Sequence, residues 1–351
     1  MTRSSNSEAE PLFISACYCK PTSRTPVWIM RQAGRYLPEY RKIRSQVDFL
    51  TLTKTPDLAA EVTLQPIRRF DLDAAILFSD IMTPVEGMGV GMEFNPGPIV
   101  SDPIRTASQI DALRVPDADE NVPFVAETIK IIRQELPSTI PLIGFAGAPF
   151  TLFTYLVEGQ GSKTFSQARS FLFSEPELSL RILEKLTDVM IGYLRTQAQA
   201  GAQALMIFDS WAGLLGVEDY RAFAYPSVCR IIKSLGHLNI PLIYFPNQGA
   251  SLLGTAKDCG ADVVGIDWRT SLSAAREVLG SEVAVQGNLD PMALFSSKKD
   301  LGSKIDNVLK QGGSSPGHIF NLGHGIDRMT DPDRVAFLVE RVRERSQAYM
   351  L

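Results

Sequence analysis

A chain of 351 residues that is 45% hydrophobic and 21% charged has the make-up of a soluble globular enzyme, with length for two ordinary domains or one large barrel. Its net charge of −4 argues against a general nucleic-acid binder, which would show a basic domain. No apolar run approaches bilayer-spanning length, so no membrane partner is expected.

Residues 1–10 are polar and lack an apolar core, which argues against a secretory signal and reads as a disordered tail before one domain at 11–351. Four scattered cysteines, Cys17, Cys19, Cys229 and Cys259, are too few for a disulfide framework. With only His237, His318 and His324 beside them, no zinc-site spacing forms. They read as free thiols of a reduced cytosolic protein, with a processed plastid form as the alternative compartment.

The first apolar run, 27–30, leads into Arg31, and the stretch 30–44 carries Arg31, Arg35, Arg41, Lys42 and Arg44 against the single acid Glu39. In an acidic chain such a local excess of guanidinium groups suggests an anionic ligand, because an arginine fork pairs with carboxylate or phosphate bidentately. A helical pattern at 56–70 precedes the second run, 74–78, which ends in Ser79 and Asp80. Another helix at 122–136 precedes the run 142–145, followed by Ala146, Gly147, Ala148 and Pro149. A long helix at 178–200 precedes the run 204–208, followed by Asp209, Ser210 and Trp211. A helix at 220–235 leads to the run 242–245, followed by Asn247, Gln248 and Gly249. The run 263–266 meets Asp267, Trp268 and Arg269, and a helix at 272–279 comes next. The last two runs, 283–285 and 318–322, end in Gln286-Gly287-Asn288 and Gly323-His324-Gly325.

Short non-alternating runs separated by helices indicate parallel strands buried on both faces. Eight of them predict a single-domain α/β fold, a (β/α)8 TIM barrel, with a cleft at the C-terminal strand ends where polar and small residues gather. On that rim Asp80 could accept N–H groups of a ligand or stabilise a cation, or else cap a helix. Asp209 faces the same choice with capping favoured, and Asp267 reads as structural. The glycines flanking His324 suggest close backbone approach to a ligand, which favours a site histidine. His237 and His318 read as structural, and Tyr155 is either a phenol for a bound carboxylate or a half-buried helix residue. No Walker loop occurs and no Gly-x-Gly-x-x-Gly follows the first run; the glycine-rich 87–91 lacks that spacing. The rim is expected to work without metal or dinucleotide.

Four motifs in order carry a resemblance. Residues 26–36 read Pro-Val-Trp-Ile-Met-Arg-Gln-Ala-Gly-Arg-Tyr, 144–152 read Gly-Phe-Ala-Gly-Ala-Pro-Phe-Thr-Leu, 76–80 read Ile-Leu-Phe-Ser-Asp, and 320–325 read Phe-Asn-Leu-Gly-His-Gly. From about residue 11 to 345 the chain resembles the uroporphyrinogen decarboxylase family of haem and chlorophyll synthesis. The resemblance implies a cofactor-free barrel, usually a homodimer, that converts the four acetate arms of uroporphyrinogen III to methyl groups, giving coproporphyrinogen III. It places substrate binding on Arg31, Arg35, Asp80, Tyr155, Ser210 and His324, with Gln32 and Ala33 as further contacts and Asp80 and Arg31 as catalytic residues. The stretches 244–249 and 326–330 depart from, or vary within, the pattern. Two rivals stay open: a zinc-binding methyltransferase of the same superfamily, which needs a His/Cys cluster, and a tetrapyrrole carrier, which needs no Asp80.

Overall fold

A computed structural model of the protein describes residues 10–94 and 97–349. Seven parallel strands form one curled sheet: β1 (Ala75–Ile76), β4 (Leu142–Gly147), β5 (Ala204–Asp209), β6 (Leu242–Pro246), β7 (Val263–Gly265), β8 (Ala284–Leu289) and β9 (His318–Leu322), adjacent in that order. Two short strands, β2 (Met92–Phe94) and β3 (Pro98–Val100), pair antiparallel outside it. Helices cover the sheet where expected: Pro56–Arg69, Pro123–Glu135, Pro176–Ala200, Tyr225–Leu235 and Leu272–Leu279. The segment predicted as helix from residue 220 begins instead with a wide π turn at Tyr220–Ala224.

The first run, 27–30, fills the eighth position without forming a strand. Val27 makes one parallel bridge to Phe320 of β9, the Phe320 N–H donates to the Pro26 carbonyl at 2.8 Å, and the Asp73 N–H donates to the Val27 carbonyl at 2.9 Å. These bonds close the ring between β9 and the residues entering β1. Beyond Trp28 the ladder stops because side chains take its partners. The Ile29 N–H donates to Gln32 Oε1 at 3.0 Å, and the Met30 N–H donates to Asn321 Oδ1 at 2.8 Å. Side-chain oxygens thus take over the donors that the ladder would have paired, which lets the backbone leave the sheet inside the core.

Trp28 is fully buried, and its indole N–H reaches Gln286 Oε1 on β8 at 2.8 Å. An aromatic series, Phe145, Phe208 and Phe245, stacks edge to face across β4, β5 and β6 and ends 6.3 Å from the His324 ring. Buried Phe145 and Phe245 each contribute roughly 1.5–3 kcal/mol by leaving water, and with half-buried Phe208 they form an apolar base beneath the strand ends. Of the expected tail, residues 1–9 lie outside the described residues; Glu10 accepts from Lys20 Nζ at 2.8 Å. No helix among the described residues is long and apolar enough to cross a membrane.

Candidate active site

Arg31 is presented by a tight turn. Its backbone has φ of +65°, a left-handed value uncommon outside glycine. Three contacts hold it there: the Gln32 N–H on the Ile29 carbonyl at 2.8 Å, the Met30 N–H on Asn321, and the Ile326 N–H on the Met30 carbonyl at 3.0 Å. Such strain persists only where neighbours over-determine it, and it concentrates at sites that use it. Asn321 is therefore part of the site's scaffold, although its position inside a strand run gave no sign of that.

Gln32 does not reach the cleft. Its side chain is 0% exposed, Oε1 accepts from Ile29, and Nε2 donates to the Ala74 carbonyl at 3.0 Å. Of the backbone and side-chain contacts expected of Gln32, the side-chain amide has both ends spent on the turn, which leaves the backbone. Ala33 is half-buried and packs against the apolar cluster around Leu37 and Leu52.

Arg31 and Arg35 open onto a cavity of about 390 Å³, whose wall also includes Trp268, Met292, His324 and Arg328. Among the described residues neither Arg31 nor Arg35 has a carboxylate within 4 Å. Burial, and then the neighbouring Arg35 charge, pull the Arg31 pKa below its ordinary value, while Asp80 and Tyr155 oppose that. The guanidinium is thus accessible from the cavity and hemmed in by protein elsewhere.

Asp80 lies behind Arg31, at the end of the run that β1 begins. Its Oδ1 accepts the Met82 N–H at 2.8 Å, forming the turn that starts the loop. Oδ2 has no donor among the described residues. Burial raises the Asp80 pKa, against the Met82 N–H and the Arg31 charge. Oδ1 of Asp80 is thus spent on a turn of the loop, and Oδ2 is left over.

Tyr155 is carried by the helix Pro149–Glu158, directly after β4. Its ring meets Phe165 edge-on at 5.5 Å, and burial raises its pKa. Ser210 follows β5, and its carbonyl accepts Asn247 Nδ2 at 3.0 Å. The 247–248 loop, whose part could not be read from sequence, thus holds the Ser210 backbone in place. Beside it Trp211 Nε1 is buried without an acceptor among the described residues.

His324 is held to a pKa of about 4 by burial first and then by Arg31 and Arg269. It is neutral near pH 7 and can give or take a hydrogen bond but carries no charge. The glycines around it do something other than expected. A Cβ on Gly323 would lie 2.4 Å from the Trp268 backbone nitrogen, and one on Gly325 would lie 2.4 Å from Arg31 Cδ. Both leave room for other parts of the protein, and Gly325 also lines the cavity.

The family model for uroporphyrinogen decarboxylase (URO-D) matches residues 8–345. The chain belongs to the uroporphyrinogen decarboxylase family. Uroporphyrinogen decarboxylase from Syntrophotalea carbinolica is 50% identical over 336 residues, covering 96% of this chain and 98% of the relative. The Geotalea daltonii protein of the same name is 49% identical, covering 95% and 98%. Among solved structures, a methyltransferase from Methanosarcina mazei superposes with TM-score 0.80 at 22% identity, covering 95% of this chain and 97% of that one, a likeness of fold alone. The methyltransferase reading requires a His/Cys cluster, and no group of three or more His, Cys, Asp or Glu able to hold a metal occurs among the described residues.

Not every strand-end acid of this uroporphyrinogen decarboxylase family member faces the cleft. Asp209 is 0% exposed; Thr151 Oγ1 donates to Oδ1 at 2.8 Å and Tyr244 OH to Oδ2 at 2.9 Å, with Tyr220 OH 2.9 Å beyond. It ties β5 and β6 to the helix that carries Tyr155. Burial raises its pKa to about 6 despite both hydrogen bonds. A raised folded-state value means that the group's stabilisation is complete below its unfolded pKa of about 3.9 and is lost as pH climbs through about 6. Denaturant midpoints of wild type and Asp209→Asn should therefore diverge with pH. From about pH 4.5 to 7.5 the wild type should lose about 2 kcal/mol relative to the variant, and a pH-independent gap would show that Asp209 does not titrate there.

Proposed function

We propose that Asp80 and Arg31 carry out the decarboxylation of the four acetate arms of uroporphyrinogen III in this chain, giving coproporphyrinogen III. The chain is a decarboxylase of porphyrin biosynthesis, a carboxy-lyase, by its membership and its near-50% identity to named relatives along almost its whole length. The observation that carries the site assignment is one carboxylate oxygen, Asp80 Oδ2, without a protein donor among the described residues, near the charge of Arg31, which has no carboxylate within 4 Å among them. A porphyrinogen presents four pyrrole N–H donors at its centre and eight carboxylates at its edge, which is the complementary pattern.

Each turnover replaces a carboxylate by a proton. Protonation of the ring carbon bearing the acetate arm makes the pyrrole an iminium-like cation, the C–CO₂ bond breaks, and its electron pair neutralises the ring. A second proton on the exocyclic methylene restores the aromatic pyrrole as a methyl-bearing ring, and the first proton leaves. Asp80 is placed to accept the ring N–H groups and to stabilise the cation, an already oriented charge that needs no reorganisation at the moment of reaction. His324, neutral near pH 7, is not an imidazolium donor. Arg31 is assigned both carboxylate binding and proton delivery, directly or through water. If Arg31→Lys keeps kcat and only raises KM, the proton-delivery half of that assignment fails.

Tyr155, Ser210, His324 and Arg35 belong to the same proposal as substrate contacts. The homodimer and the cytoplasmic location belong to it too, and sedimentation velocity tests the former. Anaerobic incubation with uroporphyrinogen III, followed by counting carboxylates on the products, tests the reaction. A series descending from eight to four supports it, and unchanged octacarboxylate overturns it.

A further inference from the structure

The cavity holding Arg31 and Arg35 contains a third arginine outside the motifs that define the family. Arg328 lies on the short loop after His324, in the stretch that sequence marks as variable. Both sides of that loop are anchored. Ile326 is buried and its N–H binds the Met30 carbonyl, while Thr330 is buried with its N–H on the Asp327 carbonyl at 3.1 Å. Between these anchors Arg328 is exposed and lines the cavity.

Elsewhere on the surface Arg68, Arg181 and Arg230 close ion pairs with neighbouring acids. Arg31, Arg35 and Arg328 do not, although two acids share their cavity. Those acids are engaged by backbone: Asp290 Oδ1 accepts the Met292 N–H at 2.9 Å, and Asp327 Oδ1 accepts the Met329 N–H at 2.7 Å. Three guanidinium groups on one wall, none neutralised by a protein carboxylate among the described residues, leave positions for carboxylates of a ligand.

We propose that Arg328 is a substrate-binding residue of this chain that holds a propionate carboxylate of the macrocycle. This rests on the function proposed above. The reacting acetate has to lie where Asp80 meets the ring, and Asp80 is not on this cavity's wall. Arg31 lines the cavity and also feels the charge of Asp80, whereas exposed Arg328 lines the cavity alone. A propionate extends one methylene further from the ring than an acetate and is present in the substrate and every intermediate. The contact should therefore serve all four rounds equally.

The test compares wild type, Arg328→Gln and Arg328→Lys on uroporphyrinogen III and on the pentacarboxylate intermediate. With Gln, KM should rise about tenfold on both substrates, the loss of one charge-assisted contact. Lys should recover part of this, and kcat should stay within about twofold, as expected of uniform binding. The side chain is exposed, so thermal melting should be unchanged. Equal KM values would make Arg328 a solvated surface charge and overturn the proposal. A KM effect on the octacarboxylate alone would assign the contact to an acetate and overturn the propionate role, and a fall in kcat without a rise in KM would also overturn it. A wild type inactive on uroporphyrinogen III would strike the proposed function itself, a result distinguishable from an active wild type matched by Arg328→Gln.

Discussion

Replacing Asp80 by asparagine is expected to lower kcat about a thousandfold. Two opposite charges about 4 Å apart at an effective dielectric near 20 attract by about 4 kcal/mol, and the same free energy withheld from a transition state removes about three decades of rate. The substitution is unusually clean at this position. Asparagine keeps an oxygen where Oδ1 accepts the Met82 N–H, so the turn survives while the charge leaves. The other carboxylate oxygen becomes an amide that donates where the pyrrole N–H groups also donate. Asp80→Glu keeps the charge but displaces it by a methylene and should fall between the two. The measurement is kcat at saturating uroporphyrinogen III, with binding checked separately by fluorescence quenching. An asparagine variant within tenfold of wild type would remove the cation-stabilising role and leave Asp80 as a turn former.

The acid side of the pH profile follows from the same site. Burial raises the Asp80 pKa, so the carboxylate form needed for catalysis is lost on acidification earlier than for an exposed aspartate. His324 adds no charge change near neutrality because it is already neutral there. On the proposed role, loss of rate toward low pH follows protonation of Asp80, and Asp209→Asn separates it from protonation of Asp209, whose pKa is about 6.

What sequence made legible was whatever depends on local spacing. Non-alternating runs and intervening helical patterns fixed the barrel, and the residue after each run located the rim, because a parallel strand end and its loop are contiguous in the chain. What it missed depends on contacts distant in sequence. The run at 27–30 has the composition of a strand, yet its backbone is diverted by Gln32 and by Asn321, the latter 291 positions away. Gln32 sits inside the arginine-rich motif yet serves the turn. Asp209 has the context of a helix cap, while its carboxylate instead joins Thr151 to Tyr244 through the core. Arg328 carries no motif at all; only the fold brings it to the wall shared by Arg31 and Arg35. Residue types announced the chemistry, and three-dimensional neighbours decided which side chains stay free of protein partners.

Gly325→Ala is expected to lower kcat/KM about a hundredfold while leaving the fold intact, and its contrast with Gly323→Ala explains why. A Cβ at 325 would meet Arg31 Cδ at 2.4 Å, Nε at 2.8 Å and Cγ at 2.9 Å. All three atoms belong to a flexible side chain, so the overlap is relieved by swinging the guanidinium rather than by moving backbone. Gly325 has no positive φ, so alanine adds no backbone strain there. A displacement of about 1 Å in a positioning group can cost about a hundredfold in rate, and the Arg31 backbone, fixed by Gln32, Asn321 and Ile326, cannot follow to restore the geometry. At Gly323 the added carbon would meet the Trp268 nitrogen at 2.4 Å and the Asp267 carbonyl carbon at 3.0 Å. Those are main-chain atoms, so that variant should lose stability instead. Thermal melts and steady-state kinetics on both variants separate the cases. If Gly325→Ala keeps wild-type kcat/KM, the Arg31 stem can bend without moving its charge, and the tight turn at 29–32 is not what aims it.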